Sequence, residues 1–513
     1  MMRTSDAEPE PQDAIAGELA EISAHVRSSS RRREGEASRA DPRFALSARN
    51  LACYLALREL EVRPLQGRLA RAGLSSLGHS ESHVLASLDA VGRAAEALDG
   101  RPRERAHDPA ISPAFGEGSA LLAAHAEVLL GPASPGRRTR IMVTMPSEAA
   151  DDEGLVRDLV SAGMDCARIN LAHDDEDLWR GMVRNIAAAT PADGHRVRIA
   201  ADLPGPKLRT GPIGRDPSGD ELKLRVAHDD ILVLTAAPEP GRAAVRAGGG
   251  ETARAARISC TLPEVFTHVR PGEPVFIDDG KIAAVVEDAS SGEIRLRITG
   301  ARQKGQRVRG GKGISFPRTH LPISCLTEYD LARLPFLAEC ADIVEVSFVQ
   351  DPADVRALRA RLTELGAPEI GLVLKVETVR AFERLPDLLF AGMEGPSLGV
   401  MIARGDLAVE VGFERLAEVQ EEILWLGEAA HVPVIWATEV LDSLAHTGRV
   451  TRAEVTDAGM GARAEAVMLN KGPCIVDAVR ALDGILGRMQ DHHAKKTSLL
   501  RPLRAWGRDP RPA

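Results

Sequence analysis

Between residues 140 and 470 one texture repeats eight times: a short apolar run, then a stretch with apolar positions three and four apart. The runs are RIMVTM (140–145), CARINL (166–171), VRIAADL (197–203), DIVEVSF (342–348), IGLVLKV (370–376), LGVMIA (398–403), VPVIWA (432–437) and EAVMLN (465–470). Amphipathic stretches such as 152–162, 352–365, 379–390 and 415–430 separate most of them. Strands apolar on both faces suit a parallel sheet covered by helices. Eight β/α units in succession predict an α/β fold, the closed (β/α)8 TIM barrel. Residues 211–306 break the rhythm. There LKLRV, DILVLTA, EPVFIDDG, KIAAVVED and EIRLRITG alternate between Gly and Pro breaks, which predicts a small all-β domain inserted after strand three.

Upstream of the barrel the pattern changes. Residues 1–40 are polar and charged, end in SSSRRREGEASR, and read as a disordered arm. SARNLACYLALRELEV and SESHVLASLDAVGRAAEAL each put apolar residues on one face, with Ser placed as N-cap. The link AGLSSLGHS between them has helix-turn-helix spacing, but no basic recognition face accompanies it, so a packed helical hairpin is expected. The expected organisation is an arm (1–40), an α-helical N-terminal region (41–135), a barrel in two pieces (136–210 and 307–495), the inserted β-domain (211–306) and a tail (496–513).

Composition narrows the function classes. A hydrophobic fraction of 44% with 27% charged residues is that of an ordinary globular chain. The net charge of −9 weighs against a nucleic-acid polymer or an anionic membrane as partner. No run of some 18 apolar residues predicts a membrane span, and the acidic start MMRTSDAEPEPQDAI lacks the layout of a signal peptide. The six cysteines are scattered without a C-x-x-C pair, as expected of a reducing cytoplasm and against a zinc site. Positive charge is supplied by 56 arginines and only nine lysines. A compact ammonium is not interchangeable with a planar guanidinium, so a Lys marks a place that needs the compact charge. Lys207, Lys304, Lys312, Lys375 and Lys471 fall in or beside the loops at the predicted barrel mouth.

Chemistry in such barrels sits at the carboxyl ends of the strands. Strand two ends in Arg168, Asn170 and His173, and strand three in Asp202, Lys207 and Arg209. Strand five offers Lys375 and Glu377, two apart and so on one side, strand six Arg404, Gly405 and Asp406, and strand seven Thr438. The insert adds Asp278 and Asp279. Glu377 and Asp406 suit a Mg²⁺ ion, which takes few carboxylates plus water and substrate oxygens. Lys375, Arg168 and Arg209 then form a cationic clamp for an anionic group in transfer. Gly405 allows backbone N–H groups to approach an anion such as a carboxylate. Taken singly, Asp406 could be a helix N-cap, the arginines ion-pair partners, His173 a packing residue and Thr438 a strand former. Convergence on one rim favours the site.

The chain resembles pyruvate kinase over residues 138–490, through ARINLAH, DLPGPKLRTG, FIDDG, GGKGISFP, SFVQDPADV, LKVET, MIARGDLAVE, IWATEVLDS and TRAEVTDA, in matching order. The resemblance implies phosphoryl transfer from phosphoenolpyruvate to ADP, giving pyruvate and ATP, with Mg²⁺ (or Mn²⁺) on Glu377 and Asp406. It implies that Lys375 stabilises the transferring group, that Arg168 contacts it, and that the Arg404–Gly405 turn and Thr438 take the substrate carboxylate. Thr438 would also lie near the proton path to the enolate, Asp279 would sit on an inserted lid, and His173 and Lys312 on the nucleotide side. Asn170 and Asp202 match ligands of the family's monovalent cation.

Departures qualify this. Ala172 removes one hydroxyl of the potassium site, and Lys207 stands where potassium-dependent members have Glu, so K⁺ independence is expected. NKGP (470–473) and MPSEA (145–149) replace the family's loops after strands eight and one, on the nucleotide side. The family's C-terminal domain is expected to be missing, and the helical region has no counterpart in the ordinary enzyme. A cytoplasmic homo-oligomer is expected, with the helical region serving assembly or docking. Two other readings stay open: a phosphoenolpyruvate-binding regulatory protein with weak transfer, and another metal-enolate reaction such as oxaloacetate decarboxylation.

Overall fold

The computed structural model describes residues 13–98, 100, 112–189, 196–216, 218–246 and 252–499. Eight parallel strands close into a barrel in chain order: β1 (Arg140–Thr144), β2 (Cys166–Asn170), β3 (Arg198–Leu203), β4 (Ile343–Val346), β5 (Gly371–Val376), β6 (Leu398–Ala403), β7 (Val434–Ala437) and β8 (Ala466–Leu469), with β8 paired back to β1. Nearly every strand residue is buried, because helices cover the outside while side chains fill the inside. Side chains start the covering helices cleanly: Asp152 accepts from Leu155 N–H, Thr378 from Ala381 N–H, and Thr451 forms a capping box with Glu454.

The barrel interior holds Met142, Cys166, Ala200, Ile343, Val373, Met401, Ile435 and Met468, and two residues that precede the barrel in sequence, Leu129 and Leu130. Both belong to the helix Glu117–Leu130, which plugs the amino end of the barrel. Gly371 and Gly399 make room for it, since a Cβ at either would lie 2.4 or 2.5 Å from a Leu129 methyl. Arg140 fixes the plug by donating from Nε and Nη2 to the Gly131 carbonyl at 3.0 and 2.8 Å.

The rest of the helical region packs on this assembly. Ile15, Leu19, Ile22 and Val26 line the buried face of the helix Asp13–Ser29, which lies against Ala45–Arg58 and Val84–Leu98. Residues 13–37 are therefore ordered helix and turn, against the disordered arm expected from their polarity. Four apolar residues at helical spacing suffice to dock them, and Arg27 pairs with the buried Asp89 at 2.8 Å. Residues 1–12 of the expected arm lie outside the described residues. The serine caps are also corrected. Ser47 sits inside its helix and bonds His431 Nδ1 at 2.9 Å, and Ser80 provides no side-chain cap. The Val84 N–H is instead accepted by Asn50 Oδ1 at 3.0 Å, from the neighbouring helix.

After β3 the chain enters a separate β-domain with its own apolar core. Its six-stranded sheet runs, in spatial order, Ile314–Ser315, Pro274–Ile277, Ile282–Ala289, Glu293–Gly300, Ile231–Thr235 and Ala256–Ser259. Among the described residues no helix is long and apolar enough to cross a membrane.

Candidate active site at the barrel mouth

Side-chain alternation builds the floor of the site. Residues two apart on a strand face the same way, and the register sets Asn170 beside Asp202, and Asp202 beside Glu345. Lys375 Nζ bonds Asp202 Oδ1 at 2.8 Å and Ser347 Oγ at 2.5 Å, and lies 3.1 Å from Glu377 Oε1. Glu377 Oε2 accepts the Phe348 N–H at 2.7 Å. Arg168 donates from Nε to Glu345 Oε2 at 2.9 Å, from Nη1 to Thr144 Oγ1 at 2.9 Å, and from Nη2 to Asp202 Oδ2. All these charged groups are buried.

Burial and pairing pull the titrations apart. Burial works against the Lys375 ammonium, but Asp202 and Glu377 outweigh it and hold its proton more firmly than usual. Burial also opposes the Asp202 carboxylate, yet Arg168 and Lys375 keep it below the ordinary range. Glu377 goes the other way, raised by burial with Asp406 adding to the rise. Burial pushes Glu345 up to about 7 despite the Arg168 guanidinium. The floor thus keeps its cations charged beside a carboxylate whose ionisation burial opposes.

Asp406 lies in the first turn of the helix Arg404–Val411 that leaves β6. Both of its oxygens accept from Lys207 Nζ, at 2.7 and 2.8 Å, and the ammonium lies 5.7 Å from the Phe348 ring centroid. Asn170 Oδ1 takes the Ala172 N–H at 3.0 Å, and Asp202 is held by Arg168 and Lys375. The structure thus sets Lys207 against Asp406 rather than against the Asn170–Asp202 pair with which the sequence grouped it. The reason is reach: Lys207 follows Gly205 in a turn beyond the end of β3, above those two strand residues.

The Arg404 side chain faces inward. It donates from Nε to the Ala437 carbonyl at 2.8 Å and from Nη2 to the Thr438 carbonyl, forks onto Asp457, and stacks 4.8 Å from the Trp436 ring centroid. Gly405 donates its N–H to Thr438 Oγ1 at 2.9 Å. Thr438 is not a strand residue, since its φ of 64° begins a left-handed stretch that continues at Glu439. Such backbone costs on the order of 1–3 kcal/mol per residue, and the Arg404 and Gly405 bonds hold it in place.

Glu377, Asp406, Lys207 and Asp279 share one cavity between barrel and insert, of about 110 Å³, walled by Phe276, Phe316 and Phe348. Arg209 and Lys312 sit at the root of the insert: Arg209 Nη1 bonds the Gly311 carbonyl at 3.0 Å, and Lys312 Nζ lies 3.9 Å from Asp278. His173 stays apart and exposed, its carbonyl taking the Trp179 indole N–H at 2.9 Å. Several site residues escape a reading of strand ends alone: Thr144, Glu345, Ser347, Asp457 and Glu410. Glu410 is raised by burial, is bonded by Ser315, and lines the same cavity. Glu345 and Ser347 were visible as polar residues two apart in DIVEVSF, the spacing that reveals Lys375 and Glu377.

Comparisons with known proteins place the chain among its relatives. The family model described as the pyruvate kinase barrel domain matches residues 136–472. The chain is 32% identical over 344 residues to a pyruvate kinase of Corynebacterium efficiens, covering 65% of each protein. It is 32% identical over 364 residues to a pyruvate kinase of Mycobacterium tuberculosis, covering 69% of this chain and 71% of the relative. A pyruvate kinase of Methylorubrum extorquens is 31% identical over 361 residues, 69% of each. The chain thus spans about two thirds of the length of the curated relatives it matches, and the matched family segment begins after the helix that plugs the barrel. By barrel, insert and matched segment together, the chain belongs to the pyruvate kinase family.

Proposed function

We propose that the protein transfers the phosphoryl group of phosphoenolpyruvate to ADP, forming pyruvate and ATP, with Mg²⁺ (or Mn²⁺) and without need of K⁺. The observation that carries this reading is Lys375, a buried ammonium between Asp202 and Glu377 at the mouth. A regulatory binding site has little use for so costly a charge beside a metal-suited carboxylate.

The donor set fits a hard divalent cation. Glu377 and Asp406 line one solvent cavity, and no cluster of three or more His, Cys, Asp or Glu among the described residues offers a closed metal cage. Glu377 and Asp406 would hold the metal there, and its charge would offset the negative charge of the group in transfer. The chain's own groups do the rest. Lys375 and Arg168 stabilise the phosphoryl group as its charge spreads, and the amino end of the helix beginning at Arg404 receives the substrate carboxylate. Thr438, fixed by Gly405, would lie near the proton path to the enolate. The walls Phe276, Phe316 and Phe348 restrict water. K⁺ independence rests on the tethered charge of Lys207 at the mouth, which is bonded to Asp406 and not to the Asn170–Asp202 pair.

A specific observation favours a second reading, a phosphoenolpyruvate-responsive regulator. The loop after β8 offers the exposed Asn470, whose amide oxygen is taken by the Lys471 N–H. The deciding experiment is pyruvate formation with and without ADP and with and without K⁺, for wild type and Lys375→Met. ADP-dependent turnover indifferent to K⁺ and cut by about 10²–10³-fold by the substitution is expected. Phosphoenolpyruvate that stabilises the fold without turnover would sink the kinase reading and leave the regulator.

A further inference from the structure

Glu345 is a carboxylate at the seam between two layers of the barrel. Its register neighbour on β5 is Val373, part of the apolar interior, and on β3 it is Asp202, part of the charged floor. The residue is fully buried. Oε2 takes the Arg168 Nε–H, while Oε1 has no hydrogen-bond partner among the described residues. A buried carboxylate oxygen without a donor is destabilising, and a Leu or Met would fill the same volume without that penalty.

What Glu345 touches defines its effect. Arg168 spends three of its five N–H bonds on Glu345, Thr144 and Asp202, so two remain for an incoming group. Two carboxylates share this one guanidinium, and Asp202 also shares Lys375. The positive charge that Arg168 and Lys375 present to an anion above them is therefore largely offset from below. Thr144 and Asp202 would hold the two ends of the guanidinium even without Glu345, so the carboxylate's charge and its role as a prop can be separated.

We propose that Glu345 is a positioning residue that pins Arg168 by its Nε edge and weakens the grip of the floor on the phosphoryl group of the substrate. This rests on the phosphoenolpyruvate reading above. Gln at this position keeps an acceptor for Nε–H and removes the charge. Leu removes both.

The test uses the full chain with phosphoenolpyruvate and Mg²⁺ at pH 8.5, above the value of about 7 to which burial raises Glu345, reading binding by calorimetry and turnover by pyruvate formation. Glu345→Gln should tighten the phosphoenolpyruvate Kd and lower KM tenfold or more, with kcat within about threefold, because the lost repulsion acts on ground and transition states alike. Glu345→Leu should lose tenfold or more in kcat, which Gln restores. A Glu345→Gln protein that binds phosphoenolpyruvate as wild type does, or more weakly, overturns the inference while leaving the kinase reading intact. A wild type that binds no phosphoenolpyruvate overturns both. If Glu345→Leu fails to fold, the Kd of Glu345→Gln decides alone.

Discussion

Replacing Lys375 by Met tests the floor of the site through stability as well as activity. The side chains are similar in length, so the change removes a charge while nearly keeping the volume. Asp202 would retain Arg168 and the Ser347 hydroxyl at 3.4 Å, but among the described residues Glu377 would keep only the Phe348 N–H at 2.7 Å. Breaking a buried pair by removing one partner costs about 3–5 kcal/mol. That figure depends on pH. Burial already raises Glu377, and without Lys375 it rises further. A carboxyl raised above its unfolded value contributes stability below the unfolded value and loses it as pH rises. The deficit should therefore grow between pH 5 and pH 8. Denaturant unfolding of wild type and variant at both values measures it. A deficit under about 1 kcal/mol at pH 8, or one independent of pH, would refute the account of Lys375 as the counter-charge of Glu377. Activity gives the second readout, with an expected loss of about 10²–10³-fold in kcat from removing one charge that faces the transition state.

The plug carries two further predictions. Leu129→Ala should cost about 2–5 kcal/mol in denaturant unfolding, since the barrel floor cannot collapse around the lost methyls. Gly399→Ala alone should destabilise by about 1–3 kcal/mol, and adding Leu129→Ala should recover part of that loss, because the new methyl fills the vacated space. Strict additivity would show that the two do not touch. A last prediction concerns acid. Burial lowers His431 to about 4, with Nε2 donating to the Ser82 carbonyl and the Ser47 hydroxyl on Nδ1, both at 2.9 Å. Its neutral form supports the fold fully above about pH 6.5, and roughly 3 kcal/mol of that support is lost as pH falls to 4. His431→Gln should flatten the fall in Tm over that window, and an unchanged slope would rule His431 out as its source.

The barrel was legible because parallel strands buried on both faces leave unbroken apolar runs, and all eight runs contain strands. Lys375, Glu377 and Asp406 stood out as charges ending such runs. The helix Asp13–Ser29 was harder to see, because its buried residues Ile15, Leu19, Ile22 and Val26 are diluted by Glu, His and Arg on the open face. Glu345 was visible by its spacing from Ser347, but its role was hidden: inside a buried strand, a polar residue reads as an interruption until its partner is known, and Arg168 is 177 residues away. The direction of Arg404 was likewise set by Asp457, which no spacing in RGDLAVE reveals.

The plug also bears on the order in which the molecule is made. Leu129 leaves the ribosome before any barrel strand, yet the glycines that receive it, Gly371 and Gly399, follow 242 and 270 residues later. The stopper thus exists before the vessel, and the sheet must curl around it through contacts of long sequence separation, which close slowly. A chain cut to begin at β1 would not be a minimal enzyme. It would be a barrel without a floor, its apolar interior open to water at the end opposite the chemistry.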